Sequence, residues 1–226
     1  MVSDLMSASA ESPADPSLDA DQAAAIDAML PYVPQFGWTE RAVRMSLLDA
    51  GQDGSEAAFR FPGGAAEMIE TFFGLALRRA IAKAEPEIAG EMRLGKRVRG
   101  VVKALLDELS LNQDATRRAI AWLILPRQAR VTARMLAALV DGIWHAAGDQ
   151  SADFSWYTKR ASLVGIMLPT LLFWLNDFEA DNEASLAFFD RRLADIGRIG
   201  KARSRLRGLC AGLIGPRAQG RARMSA

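Results

Sequence analysis

Apolar residues recur at three-to-four spacing along nearly all of this 226-residue chain, and no stretch alternates with a period of two. That pattern leaves room for amphipathic helices and none for half-buried strands. The expected class is all-α, with about nine helices and short links. The first helix runs through Ala23, Ile26, Met29 and Leu30, with Asp19 and Asp21 as candidate N-caps and Pro31 and Pro34 ending or kinking it. A second starts near Trp38-Thr39-Glu40 and stops at Gly51, and a very short third covers 55–59. The turn Phe61-Pro62-Gly63-Gly64 leads into a long helix to about Ala84. Further helices are expected over 88–109, 114–125, 128–147, 152–176 and 182–213, separated at Pro86, Pro126 and Gly148.

Charge is unevenly spread beneath a net of +1. The net is −7 over 1–60, +5 over 61–135, −6 over 136–190 and +9 over 191–226. An acidic front and a basic tail suggest different partners at the two ends. A single Cys excludes a disulfide framework, and a single His excludes a multi-histidine metal site. His145 stands four residues after Asp141, so the two can pair on one helix, but no nucleophile–base or metal-ligand constellation accompanies them. Paired Glu-x-x-His repeats for a di-iron site are absent. Cys210 reads as a spectator thiol. The expectation is a protein that is not an enzyme and needs no cofactor.

The acidic first 22 residues resemble neither a secretory signal nor a mitochondrial presequence. The longest apolar run, 163–175, falls short of the roughly 20 residues a spanning helix needs. A soluble or peripheral protein in a reducing compartment is expected.

Two local readings carry function. Gly148-Asp149-Gln150-Ser151 reads as a helix stop followed by a cap, with Asp153 in the next first turn. Trp156 and Tyr157 lie about 100° apart on a helix, so they cannot share one narrow buried stripe. They are either rim-packed core aromatics or include an outward interface anchor. In the tail, Leu206, Leu209, Leu213 and Ile214 recur at mostly three-to-four spacing, while Arg203 and Arg207 fill other faces. A basic amphipathic helix of this kind suits an anionic membrane surface.

Two resemblances follow from particular residues. Three short helices, then Phe59-Arg60-Phe61-Pro62-Gly63-Gly64 and a long helix, resemble the helix-turn-helix head of tetracycline-repressor-like regulators. The acidic surroundings (Asp53, Glu56) and the shortness of the third helix oppose DNA binding, so the head is expected to be vestigial. The second is carried by the string from Asp141 to Arg160, with Ala147-Gly148-Asp149-Gln150-Ser151 and Asp153-Phe154-Ser155-Trp156-Tyr157 at its centre. Leu30-Pro31-Tyr32-Val33-Pro34, Gly37-Trp38-Thr39, Phe61-Pro62-Gly63-Gly64, 171–177 and Phe188-Phe189-Asp190-Arg191-Arg192 extend it from about 25 to 200. Together they resemble the lipid-binding accessory protein family of coenzyme Q (ubiquinone) biosynthesis. Ser155 and His145 depart from that pattern, where Asn and Tyr are commoner.

That resemblance implies a non-enzymatic homodimer that binds isoprenoid quinone precursors and presents them to the ring hydroxylase. The nearly all-apolar helix over 163–175 reads by default as plain core, and otherwise as a face shared with a partner subunit or lipid. The residues expected to line a lipid site are Met68, Phe72, Ile120, Leu123, Leu136, Val140, Ile143, Ile166, Met167, Thr170, Leu171 and Trp174. Partner contact falls to Asp149, Asp153, Trp156 and Tyr157. Membrane contact falls to Leu206, Leu209, Leu213, Ile214, Arg203 and Arg207. The small residues Gly142, Gly165, Ala137 and Ala138, with flexible Met135 and Met167, leave room for a void that takes an isoprenoid tail. The expected organisation is a disordered acidic N-terminus over 1–18, a helix-turn-helix-like head over 19–60, a lipid-binding and dimerisation core over 61–196, and a membrane-binding tail over 197–226. The expected location is the cytoplasmic face of a bacterial inner membrane, or the matrix side in a eukaryote. No nucleic-acid partner is expected, and a ligand-responsive regulator of the same fold is the alternative.

Overall fold

The computed structural model describes residues 20–90, 93–149, 154–177 and 181–195, with backbone only for 87 and 154–158. The basic tail, the acidic start and the side chains of Asp153, Trp156 and Tyr157 lie outside the described residues. No strand occurs among those described.

Helix α1 spans Ala20–Met29 and buries Ile26 and Met29 completely. Pro31 and Pro34 do not simply end it. Each occupies the first turn of a new piece, a 3-10 turn at Leu30–Tyr32 and helix α2 at Val33–Phe36. A missing N–H costs nothing there and the fixed φ is already helical. Helix α3 covers Glu40–Asp49, and Gly51, at φ +70°, reverses the chain behind it. The expected short third element is a 3-10 turn at Gly54–Glu56 continuing into α4, Ala57–Arg60. The Asp53 carboxylate accepts from Ser55 N at 2.9 Å and Ser55 Oγ at 2.7 Å, which holds its carboxyl below the usual carboxylate range.

Helix α5, Gly64–Ile88, starts at a Gly64 of φ +61°. It runs through Pro86 instead of stopping before it. The carbonyl four residues back belongs to exposed Ala82, where water can take the hydrogen bond that proline cannot donate. The break therefore falls later, and α6 begins at Leu94 and ends at Ser110, not over 88–109. Helix α7 is Gln113–Leu123, followed by a 3-10 turn at Pro126–Gln128 and α8 at Ala129–Ala146. Helix α9 spans Phe154–Trp174, and α10 covers residues 183–195.

Helix α5 is the centre, packed against α6, α8 and α1, and α9 lies against α8. One apolar cluster runs from Ile26 to Phe189, so head and core share an interior. Trp38 ties them directly: its indole donates to Ala115 O of α7 at 3.0 Å, and its ring lies 5.1 Å from that of Phe72.

Candidate functional site

The residues expected to line a lipid site sit on α5, α7, α8 and α9. Helix α8 buries Thr132, Met135, Leu136, Leu139, Val140, Ile143 and Trp144, a stripe of alternating three and four spacing. Helix α9 answers with Leu163, Ile166, Met167, Thr170, Leu171 and Trp174 in the same rhythm. All twelve expected lipid-lining residues are buried, from Met68 on α5 to Trp174 on α9. Thr170 meets the cost of burial locally, its hydroxyl donating to Ile166 O at 2.8 Å.

Of the small residues expected to leave room for a void, Gly142 is filled on its inner side among the described residues. A Cβ on Gly142 would stand 2.6 Å from Leu77 Cδ2, so this glycine lets α8 close onto α5. Gly165, Ala137 and Ala138 are exposed, on the outer sides of α9 and α8. Gly165 also supplies the carbonyl that Pro169 leaves without its helical donor, again facing solvent. A shallow cleft lies elsewhere, between α1, α5 and α6. Leu30, Phe72 and Leu75 line one side of it and Asp27, Arg79, Glu108 and Asn112 the other. Arg79 bridges Asp27 and Glu108, and Lys83 also reaches the buried Glu108.

The motif segment forms the corner between α8 and α9. Gly148, at φ +77°, is the left-handed residue after the helix end. Gly148 N donates to His145 O at 2.9 Å and Asp149 N to Trp144 O at 3.1 Å, the paired bonds of a Schellman stop. Arg97 of α6 donates to Ala147 O at 3.4 Å, placing a cation at the negative end of the helix. The stop expected at Gly148 is thus present in full.

Two ion pairs then clamp α9 to α8. Arg160 Nε donates to Asp141 Oδ1 at 2.6 Å, so Asp141 engages the facing helix and not His145, which is exposed. Lys159 Nζ donates to Asp149 Oδ1 at 2.8 Å and stands 5.8 Å from the centre of the Trp144 ring. The Asp149 side chain is 5% exposed. Trp144 is buried and its indole N–H has no hydrogen-bond partner among the described residues.

A second clasp, with no sequence expectation behind it, holds the far end of α9. Asn182, at φ +56° and buried, accepts from Trp174 Nε1 at 2.8 Å and Ser110 Oγ at 3.1 Å. Its amide donates to Asp107 Oδ1 of α6 at 3.1 Å. Beside it, Asp177 Oδ2 accepts from Ser185 N at 2.9 Å and Ser185 Oγ at 2.5 Å. The available signal was Asn182 itself, since Asn tolerates the left-handed region better than most residues. The Trp174 indole, expected to face a ligand, spends its one donor here.

In the head, Arg44 pairs with Glu40 and Arg60 with Glu56 one turn away, and Arg41 stacks over Phe36. The bases of this head are spent within it, which opposes phosphate binding. Among the described residues no group of three or more His, Cys, Asp or Glu is placed to hold a metal. None of the described helices is long and apolar enough to cross a membrane.

Residues 129–200 match the COQ9 family model, from the first residue of α8 past the motif corner. The mitochondrial ubiquinone biosynthesis protein COQ9 of Rattus norvegicus is 32% identical over 182 residues, covering 77% of this chain and 58% of that protein. The Homo sapiens protein of the same name is 31% identical over 182 residues, with 77% and 57% covered. Schizosaccharomyces pombe coq9 is 33% identical over 167 residues, with 73% and 65% covered. The chain spans less than two thirds of the length of these relatives. Among solved structures, the TetR transcriptional regulator from Nitrosomonas europaea superposes with a TM-score of 0.60 at 20% identity. That match covers 76% of this chain and 95% of the regulator, and it establishes a tetracycline-repressor-like helical fold. The chain thus carries a COQ9 domain over 129–200 and is similar to ubiquinone biosynthesis proteins COQ9 along most of its length.

Proposed function

We propose that this chain acts in ubiquinone biosynthesis as a non-enzymatic accessory protein that binds an isoprenoid quinone precursor and presents it to a ring hydroxylase. The observation that carries the reading is the alignment with ubiquinone biosynthesis proteins over 77% of the chain, through the motif corner. The twelve buried residues of α5, α7, α8 and α9 form the apolar surface that takes the lipid. Leu77 fills the space beside Gly142, so the ligand lies along the α8–α9 stripes and not between α8 and α5 at that point. Four polar or charged anchors at the two clasps, Asp141, Asp149, Trp174 and Asn182, set how far α9 moves. The hydroxylase docks at the α8–α9 corner through Asp149, Asp153, Trp156 and Tyr157, with Lys159 paired to Asp149. The basic tail rests on an anionic membrane surface, and a homodimer forms through the late helices.

Mass spectrometry of lipids that co-purify with the protein tests the central claim. Polyprenyl quinones or their precursors are expected well above a mock purification, and their absence overturns it. The likeness to a TetR regulator favours a second reading, a ligand-responsive DNA-binding protein. The four-residue α4 and the internally paired Arg44 and Arg60 weigh against it. A gel shift at low salt against duplex DNA separates the two: retardation supports the regulator.

A further inference from the structure

Of the exposed large apolar residues, Leu48, Phe59, Leu111 and Phe173 are separated along the chain, whereas Ile124 and Leu125 are adjacent, 53% and 37% exposed. They form the corner between α7 and α8, where 124–127 are exposed without interruption. This corner is built, not frayed. Ile124 N donates to Ile120 O at 3.0 Å, and Gln128 N to Leu125 O at 2.8 Å. From the far side, the buried Thr132 hydroxyl donates to Leu123 O at 2.7 Å and contacts Gln128 O at 3.1 Å. Two aliphatic side chains are thus held outward by a satisfied backbone, at a cost in exposed apolar area that folding alone does not explain.

The charge around them has one sign. Residues 115–140 hold five Arg and no acid. Arg134 is matched by Glu70 of α5, and Arg118 donates to a carbonyl in α2. Arg127 and Arg130, immediately beside the two aliphatic residues, are exposed and in no ion pair among the described residues. Phosphate alone would answer the arginines and leave Ile124 and Leu125 in water. An anionic lipid surface answers both, headgroups meeting the guanidinium groups while the aliphatic tips enter the acyl boundary. We infer that the α7–α8 corner is a membrane-contact surface for anionic lipid, separate from the basic tail. It needs neither a bound quinone precursor nor a hydroxylase, so it goes beyond the function proposed above.

The test uses the full-length protein with Cys210→Ser and a single Ile124→Cys, labelled with a polarity-sensitive fluorophore. A label at exposed Gln52→Cys in the head is the control. Vesicles of phosphatidylcholine with phosphatidylglycerol are expected to blue-shift and brighten the label at 124, and to leave the label at 52 unchanged. Pure phosphatidylcholine is expected to do neither. Arg127→Gln with Arg130→Gln should weaken vesicle affinity about 5-fold per arginine. A silent label at 124 while the protein floats with the vesicles overturns the inference and leaves contact to the tail. So does absence of any vesicle binding. A blue shift that rises with protein concentration without vesicles also overturns it, and assigns the corner to a second copy of this chain. Co-purifying lipid, measured on the double-arginine variant, should be unchanged, which keeps this result separate from that of the proposed lipid site.

Discussion

Helix α8 ends in two corners of opposite construction. At its C-terminal end, Gly148, Asp149, Lys159, Asp141 and Arg160 turn the chain, and every charge among them has an opposite within reach. At its N-terminal end, Ile124, Leu125, Arg127 and Arg130 are left facing outward. The first corner spends polar residues on holding α9 against α8. The second corner achieves its stability through backbone hydrogen bonds and Thr132, and keeps its side chains free. A residue string as individual as Asp141 to Arg160 therefore owes part of its identity to architecture, before any partner is considered. The plainer string 121–130 owes little of its surface to architecture, and that is where an unused chemistry remains.

The largest difference between the corners should come from Asp149→Ala. It removes a buried carboxylate and strands Lys159 over Trp144, and Lys159 can recover only part of its solvation. A stability loss of about 1–3 kcal/mol is expected. Urea unfolding followed by circular dichroism measures it. A loss under 0.5 kcal/mol would mean that α9 is held chiefly by its apolar stripe, and the comparison would lose its electrostatic half.

Gly148→Ala should follow, at about 1–2 kcal/mol. A side chain at φ +77° is strained, and its Cβ would stand 3.2 Å from the Arg97 guanidinium. The same unfolding experiment applies. Full stability would show that this corner relaxes into another turn without penalty.

The helices and the Gly148 stop were legible in the sequence because their causes are local. Periodicity and glycine act within a few residues, and so the first corner was readable as a stop. Pro86 misled because the carbonyl it leaves without a donor belongs to Ala82, whose exposure lets water take that bond, and exposure is a tertiary fact. The small residues Gly142, Gly165, Ala137 and Ala138 are ambiguous for the same reason. A glycine marks close approach or empty space alike, and only the position of Leu77 decides between them. The Asn182 clasp joins residues 72 and 75 apart in the chain, to Ser110 and Asp107, so no window on the sequence contains it. The twelve apolar positions were readable as buried, since burial follows from periodicity, while the proposal that they form a lipid surface rests on the likeness to COQ9 proteins.

Trp144→Phe should produce a smaller change than either corner variant. It removes an indole N–H that is buried without an acceptor, which offsets the lost ring area and the weaker attraction for Lys159. Stability within about 1 kcal/mol of the parent is expected by thermal unfolding. A larger loss would mean that the indole ring, and not the Asp149 pair, fixes Lys159.

The smallest effect on folding should come from the opposite end of α8. Ile124→Ser with Leu125→Ser trims side chains that touch little of the interior and leaves the donors and acceptors of the corner in place. Substitutions of this kind away from structural features stay within about 0.5 kcal/mol of the parent. The expectation is sharper than neutrality, because a corner reserved for lipid takes no part in self-association, so trimming it should leave the monomeric or dimeric state of the protein unchanged at higher concentration. Urea unfolding gives the first number and sedimentation velocity the second. A loss above 1.5 kcal/mol would show that Ile124 and Leu125 are working parts of the core, and their exposure would then need no outside surface to explain it. Unaltered stability together with lost attachment to anionic vesicles would leave the two ends of α8 with separate tasks, one fastening the fold and the other meeting the membrane.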